Sequence, residues 1–236
     1  MPLCLCPTEM SFGEVEAALA EVHHIASSKR TAFQARLKNF LRIGIPTYAA
    51  SGRGRRGQYG AFELATMALA VELSQLGLAP AHATRLLDFH WPTVCAAFLR
   101  ATGNSPYDTR GKRRELIYEG DFVRSFLLFD PAALWPLMEE ARMEGADDIA
   151  AAFELLELAD VEDLHRLTSG SQFRGALINV SALVTRLSLL FPEENNFRWG
   201  FFEELRSAAS DRLQTFWDRQ NETNARESTD GIDQKA

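Results

Sequence analysis

The sequence predicts a mainly α-helical protein with a small β component, in which an N-terminal helical domain is followed by a second, mostly helical α+β domain. Three observations predict this. Apolar residues recur at helical spacings of three and four through much of the chain. Only two short stretches, near residues 45–59 and 116–129, show turn residues between β-type runs. The composition, 46% hydrophobic and 24% charged, is ordinary for a globular protein.

The first predicted helix begins at a capping box, in which Ser11 precedes Glu14 by three residues. The Ser11 hydroxyl can accept a backbone N–H of the first turn, and the Glu14 carboxylate can reach back to the N-cap. Val15, Leu19 and Val22 then place one apolar face inward.

The second predicted helix covers residues 29–43, with Ser27 and Ser28 as candidate N-caps. Gly44 is a natural C-cap, and the proline that follows at position 46 prevents continuation. The helix has one apolar stripe, which we expect in the core: Phe33, Leu37, Phe40 and Leu41.

A small β-wing is predicted next. Residues 45–48 form a short strand, residues 51–57 form a turn with three glycines and three arginines, and residues 58–59 begin a second strand. A nucleotide-binding loop is excluded here, because the Gly-Lys-Ser/Thr ending is absent and no apolar parallel strand precedes the turn.

Two further helices complete the first domain. One covers residues 62–76, and the other begins at Pro80 and runs to residue 87. Trp91-Pro92 interrupts the helical pattern, which resumes over residues 94–99. Residues 102–111 are rich in Gly, Asn, Ser and Pro and predict a linker.

The second domain is predicted to contain one β-hairpin, formed by residues 116–118 and 122–129. Helices are expected to begin at Pro131 and to cover residues 147–158, 160–168, 173–190 and 199–218. The polar residues after 220 predict disorder. The expected organisation is therefore a first domain at 1–102, an acidic second domain at 103–220 that serves dimerisation or partner binding, and a disordered tail at 221–236. We expect the first domain to fold alone.

The net charge of −7 conceals an asymmetry between the two halves. Residues 1–115 carry a net charge of +5 and residues 116–236 a net charge of −12. No acidic residue occurs between Glu21 and Glu63, an interval that holds eight lysines and arginines. Such a surface attracts phosphate backbones and releases counterions on binding. The alternative for the same charges is a solvated basic surface without a partner.

The residues from 11 to 87 resemble the DNA-binding domain of MerR-type regulators. The segment Leu37-Lys-Asn-Phe-Leu-Arg-Ile-Gly-Ile45 is similar to the end of that family's recognition helix. Tyr59, Glu63-Leu64, Leu76-Gly77-Leu78 and Leu86-Leu87 follow at the family's intervals. The chain departs from the family in about eleven extra residues before Leu37 and in the break at Trp91-Pro92. The resemblance implies a winged helix-turn-helix over the N-terminal third and nothing specific about residues 103–236.

The resemblance implies that the second helix lies in the major groove and that the wing reaches the backbone or minor groove. Arg36, Lys38, Asn39 and Arg42 are then the candidates for base contacts, because arginine and lysine pair with guanine edges and asparagine with adenine. Candidates for phosphate contacts lie at the start of this helix and in the wing: Lys29, Arg30, Arg53, Arg55, Arg56 and Tyr59.

The expected function is sequence-specific binding of double-stranded DNA by a cytoplasmic transcription regulator that acts as a homodimer, with RNA polymerase or another transcription protein as a possible further partner. No enzyme, cofactor, metal or membrane association is expected. The five histidines lack metal spacing, nucleophile motifs are absent, and the three cysteines form no disulfide framework. No apolar run is long enough to span a bilayer.

Two alternatives remain open at this level. The chain can be a protein-binding adaptor of the transcription machinery, in which the helix-turn-helix contacts protein and DNA binding is weak and non-specific. It can also be a regulator with a small-molecule pocket in the second half, although no residue pattern identifies a ligand.

Overall fold

The computed structural model describes residues 9–46, 58–103, 124–129, 153–158, 176–193 and 197–233. It contains seven helices and three strands in these ranges. In chain order they are α1 (Phe12–Val22), α2 (Arg30–Ile43), α3 (Ala61–Gln75), α4 (Pro80–Phe89), α5 (Trp91–Gly103), β1 (Arg124–Phe129), β2 (Phe153–Leu158), β3 (Ala176–Asn179), α6 (Val180–Ser188) and α7 (Phe197–Asp233). The described part is therefore mainly helical with a small antiparallel sheet, as predicted.

Local signals fix the ends of the first two helices. The Glu14 backbone N–H donates to Ser11 Oγ at 3.3 Å, and the Ser11 N–H donates to Glu14 Oε2 at 2.7 Å, so the predicted capping box is confirmed. A 3-10 turn at Ser27–Lys29 leads into α2 in place of a side-chain cap. Gly44 ends α2 with φ 102°, a conformation in which a side chain is strained.

The central helix is α3, whose first eleven residues are all buried. It packs against α1, α4, α6 and α7. Gly77, with φ 96°, ends the turn that follows α3. Pro80 is the first residue of α4, as predicted. The helical pattern breaks at His90, so that Trp91 and Pro92 lie in the first turn of α5 instead of interrupting it.

The sheet has the order β2-β1-β3, and both pairs are antiparallel. Arg124 pairs with Leu158 at one end of the first pair, and Phe126 pairs with Asn179 in the second. The predicted strand at 122–129 is confirmed over Arg124–Phe129, whereas its predicted hairpin partner at 116–118 lies outside the described residues.

Two predicted helices are wrong over the segments that form the outer strands. Residues 153–158 were expected within a helix at 147–158 but form β2, and residues 176–179 were expected within a helix at 173–190 but form β3. A short apolar run fits the periodicity of a helix as well as that of a strand. Pairing with β1, which is distant in sequence, selects the strand. The predicted helices at 131–138 and 160–168 lie outside the described residues.

One hydrophobic cluster joins the two halves of the chain. It includes α1 to α5 and continues into α6 and α7, where Phe191 and Phe201 stack with ring centroids 4.9 Å apart. Phe202, Leu205 and Ala209 complete the buried stripe of α7. The first half therefore buries part of its apolar surface against the second half. The segment predicted as a linker lies outside the described residues after Gly103.

The last helix also differs from prediction at its end. α7 continues to Asp233, beyond the residue at which a disordered tail was expected. Its first turns pack on α5 and α3, and an established helix adds each further residue at little cost, which explains the extension into a polar sequence. No helix in the described ranges is long and apolar enough to cross a membrane.

Candidate nucleic-acid interface

The two sides of α2 differ in chemistry. Phe33, Leu37 and Phe40 are buried toward the neighbouring helices. The opposite side carries exposed Lys38 and Arg42, and the helix contains no acidic residue. The exposed side is therefore cationic along its C-terminal half.

Small side chains occupy the N-terminal half of that exposed side. Thr31, Ala32 and Ala35 are on or near it, and Thr31, Ala35, Lys38 and Arg42 follow one another at steps of four, three and four residues. Residues at such spacings share one face of a helix. The first turns of α2 can therefore approach a flat or concave partner closely, while the last turns present long cationic side chains.

The polar side chains of α2 are linked to one another along the helix. Lys38 Nζ donates to Gln34 Oε1 at 3.1 Å, and Arg42 Nη2 donates to Asn39 Oδ1 at 2.9 Å. Asn39 is half-buried, and its amide nitrogen remains a donor. Arg36 is exposed on the flank of the same helix. These contacts restrict the side-chain conformations before any partner arrives.

Lys29 and Arg30, both predicted to hold phosphates, differ in their surroundings. Lys29 is exposed at the end of the 3-10 turn. Arg30 Nη1 instead donates to Glu16 Oε1 at 3.1 Å and to the Glu16 carbonyl at 3.4 Å. The guanidinium thus joins α2 to α1, and the nearby carboxylate offsets its charge. The Arg30 side chain is still 40% exposed, so its phosphate contact stays a prediction beside this structural role.

Tyr59, predicted to contact phosphate from the wing, is buried instead. Its side chain is only 5% exposed, and its ring lies 6.5 Å from that of Phe12. Its backbone forms an antiparallel bridge with Met10, with N···O distances of 2.8 and 2.9 Å. Burial also raises the pKa of the phenol. Tyr59 therefore belongs to the core, where it ties the chain before α3 to the chain before α1.

The three arginines of the predicted wing, Arg53, Arg55 and Arg56, lie outside the described residues. The described chain stops at residue 46 after α2 and resumes at residue 58 before α3. Ile45 and Tyr59, close to the two ends of this interval, are both buried. The residues that flank the interval 47–57 on both sides therefore belong to the hydrophobic cluster on which α2 packs.

One cation that the sequence analysis did not single out is Arg85. It is exposed on α4, and α4 packs directly against α2. Arg85 lies beyond the acid-free interval that drew attention to the other cations. Only the contact between α4 and α2, which is not evident from the sequence, brings it into consideration.

The start of α3 is held by a cluster of charged side chains, here named the α3 clamp: Glu63, Glu204 and Arg212. The Gly60 N–H donates to Glu63 Oε2 at 2.9 Å, and the Ala61 N–H donates to Glu204 Oε1 at 3.2 Å. Arg212 Nη2 donates to Glu63 Oε1 at 2.5 Å. The Arg212 guanidinium also lies 4.0 Å from the centre of the Phe62 ring.

The α3 clamp leaves no room for a side chain at its centre. A Cβ on Gly60 would collide with the Glu204 carboxylate and lie 3.1 Å from Glu63 Oε2. The backbone of Gly60, with φ −94° and ψ −173°, is open to any residue, so space is the reason for glycine here. Burial, together with the Glu63 carboxylate, raises the pKa of Glu204.

A second polar cluster joins α1, α3 and α6. The His23 side chain is 1% exposed; its Nδ1 lies 3.0 Å from Gln75 Nε2 and 3.6 Å from Glu72 Oε1. Arg186 Nη2 donates to Glu72 Oε1 at 2.8 Å. His23 Nε2 is buried without a hydrogen-bond partner among the described residues. Burial lowers the pKa of His23 to about 4, aided by Arg186 and opposed by Glu72.

The described residues contain no group of three or more His, Cys, Asp or Glu that could hold a metal ion. Cys95 is buried on α5, and burial raises the pKa of its thiol to about 12. A thiol of this kind is a poor nucleophile at neutral pH.

Comparison with models of known families, with curated proteins and with solved structures found no match for this chain. The geometry of the described residues is therefore the basis of any functional proposal.

Proposed function

We propose that this chain is a transcription regulator that binds double-stranded DNA in a sequence-specific manner. The exposed side of α2 enters the major groove, and the Gly/Arg segment between α2 and α3 serves as a wing. The observation that carries this proposal is the division of α2 into a buried apolar side and an exposed cationic side with no acidic residue. The resemblance of residues 11–87 to MerR-type regulators supports it.

The proposed contacts divide into two kinds. Arg36, Lys38, Asn39 and Arg42 lie on the helix assigned to the groove, where they can reach base edges as well as phosphates. Lys29, which is exposed at the start of that helix, contacts the backbone. The wing arginines Arg53, Arg55 and Arg56 and the α4 residue Arg85 add sequence-independent affinity.

The pairing of Arg42 with Asn39 gives the reading helix two states. In the unbound chain, Asn39 Oδ1 accepts from Arg42. Bidentate recognition of adenine uses the amide oxygen and nitrogen of an asparagine together. Arg42 therefore turns toward a phosphate when Asn39 reads a base. A second copy of the chain would double the site that one such helix can read.

The test compares two arginines that are both exposed and both helical. R42E lies on the proposed interface, and R100E is a matched control on α5 with the same change of charge. Affinity for a mixed-sequence duplex, measured by fluorescence anisotropy over a salt series, should fall for R42E by about tenfold, with a salt slope reduced by about one. Equal affinity of R42E and R100E contradicts the proposed interface.

The same assay addresses a protein-binding adaptor as the second candidate. A wild-type chain whose weak binding is indifferent to sequence and unaffected by R42E favours the adaptor, in which the cationic side of α2 contacts an acidic protein surface.

A further inference from the structure

The α3 clamp connects the C-terminal helix to the proposed DNA-binding part of the chain. Glu204 and Arg212, both on α7, contact Ala61 and Glu63 at the first turn of α3, across separations of 143 and 149 residues. We propose that these two α7 residues are positioning residues for DNA binding: they fix the start of α3, the helix that packs against α1 and α4, on which α2 rests. This inference rests on the proposed function.

The contacts at the start of α3 explain why α7 is needed there. The first backbone N–H groups of a helix have no partner within the helix. Here a side chain of the helix itself satisfies the Gly60 N–H, and α7 satisfies the Ala61 N–H. Glu63 is itself only 9% exposed, and its carboxylate depends on Arg212 for an opposite charge. Without α7, the Ala61 N–H and the buried Glu63 carboxylate both lose a partner, which destabilises the folded chain.

The position of the α3 clamp in the chain gives it a functional consequence. Gly60 follows Tyr59, whose backbone bridges to Met10 just before α1. Residues 59 and 60, just before α3, are therefore held by the Met10 bridge and by the α3 clamp. Loosening the clamp loosens the start of α3, and α3 packs on α1 and α4, the two helices that support α2.

The α7 helix offers a matched control. Arg206 is also half-buried; it donates to Glu203 Oε1 at 2.8 Å and to the Thr102 carbonyl at 3.1 Å, and so ties α7 to α5 instead of α3. R212Q removes the contact of Arg212 with Glu63 in the α3 clamp, and R206Q removes a comparable tie of the same helix to α5. A role of Arg212 confined to docking α7 would make R212Q and R206Q alike.

The test uses the full chain and two measurements. The first is amide hydrogen exchange at Gly60 and Ala61, which we expect to accelerate at least about tenfold in R212Q relative to R206Q. The second is affinity for a mixed-sequence duplex, which we expect to fall at least about fivefold in R212Q and to stay near the wild-type value in R206Q.

Each result has a definite meaning. Faster exchange together with weaker DNA binding, both specific to R212Q, supports the positioning role. Exchange or affinity that is the same in R212Q and R206Q overturns it, as does faster exchange with unchanged affinity. If the wild-type chain binds no DNA, the proposed function fails, whereas the exchange measurement still determines whether α7 fixes the start of α3.

Discussion

The buried imidazole of His23 gives the protein a specific dependence of stability on pH. Its side chain is 1% exposed, so the charged imidazolium would be buried away from water. The pKa of His23 accordingly falls from 6.5 to about 4 in the folded protein. The unfolded chain therefore binds the proton more readily than the folded chain between these two values.

The sign and size of the effect follow from this difference in pKa. The stabilisation of the folded state by the neutral His23 imidazole is fully present above about pH 6.5 and is lost as the pH falls toward about 4. With about 1.4 kcal/mol for each unit of pKa, the group accounts for about 2 kcal/mol of stability lost between about pH 7.5 and about pH 5. Glu72, Gln75 and Arg186 face the ring, and Glu72 is the one that limits the shift.

Urea denaturation of the wild type and H23Q at these two pH values measures the effect, with H24Q as the matched control because His24 is the exposed neighbour. The loss of unfolding free energy on acidification should be smaller in H23Q by about 2 kcal/mol and little changed in H24Q. Losses that agree within about 0.5 kcal/mol in the wild type and H23Q would refute the account of a buried neutral imidazole.

Three further predictions concern the interface and the core. Replacing Arg53, Arg55 and Arg56 together by glutamate should weaken binding to every duplex and flatten its salt dependence; titration over a salt series checks this, and affinity within about twofold of wild type contradicts the wing. N39A should alter which sequences are selected more than it alters non-specific affinity, and unchanged preference removes Asn39 from the base-reading set. F201A should cost about 3–5 kcal/mol by urea denaturation, because the ring is fully buried where α7 completes the shared core; a cost below about 1 kcal/mol would contradict that packing.

The first four helices were predictable because their signals are local. The Ser11 capping box, Gly44 after α2, and Pro80 at the start of α4 each act through residues within a few positions. The apolar stripe of α2 likewise predicted which of its side chains are buried. The α2 candidates for DNA contact were derived as the complement of that stripe, and Lys38 and Arg42 are exposed as expected.

The errors involve partners that are distant in sequence. β2 and β3 were assigned to helices because only pairing with β1 distinguishes a short apolar strand from a helix. The pairing of Arg30 with Glu16, on the preceding helix, was likewise not predictable from local signals. Tyr59 was expected at a wing surface, but its pairing with Met10 buries it.

The α3 clamp illustrates the same limit at the site itself. The sequence marks Glu63 only as part of a family-like Glu-Leu pair. Its contact with Arg212 could not be predicted, because 149 residues separate the two. Their contact also links the two predicted domains through buried surface. We therefore expect a fragment of residues 1–102 to expose apolar surface that α7 covers in the full chain, and to be less stable than the full chain.

Whether α2 reads DNA sequence, as proposed, can be measured by one selection experiment. The full chain is mixed with a random duplex library at about 150 mM salt, near physiological ionic strength, and the bound fraction is sequenced. We expect enrichment of a common motif by the wild type and loss of that enrichment by R42E. A bound fraction with the composition of the input library would contradict the proposal.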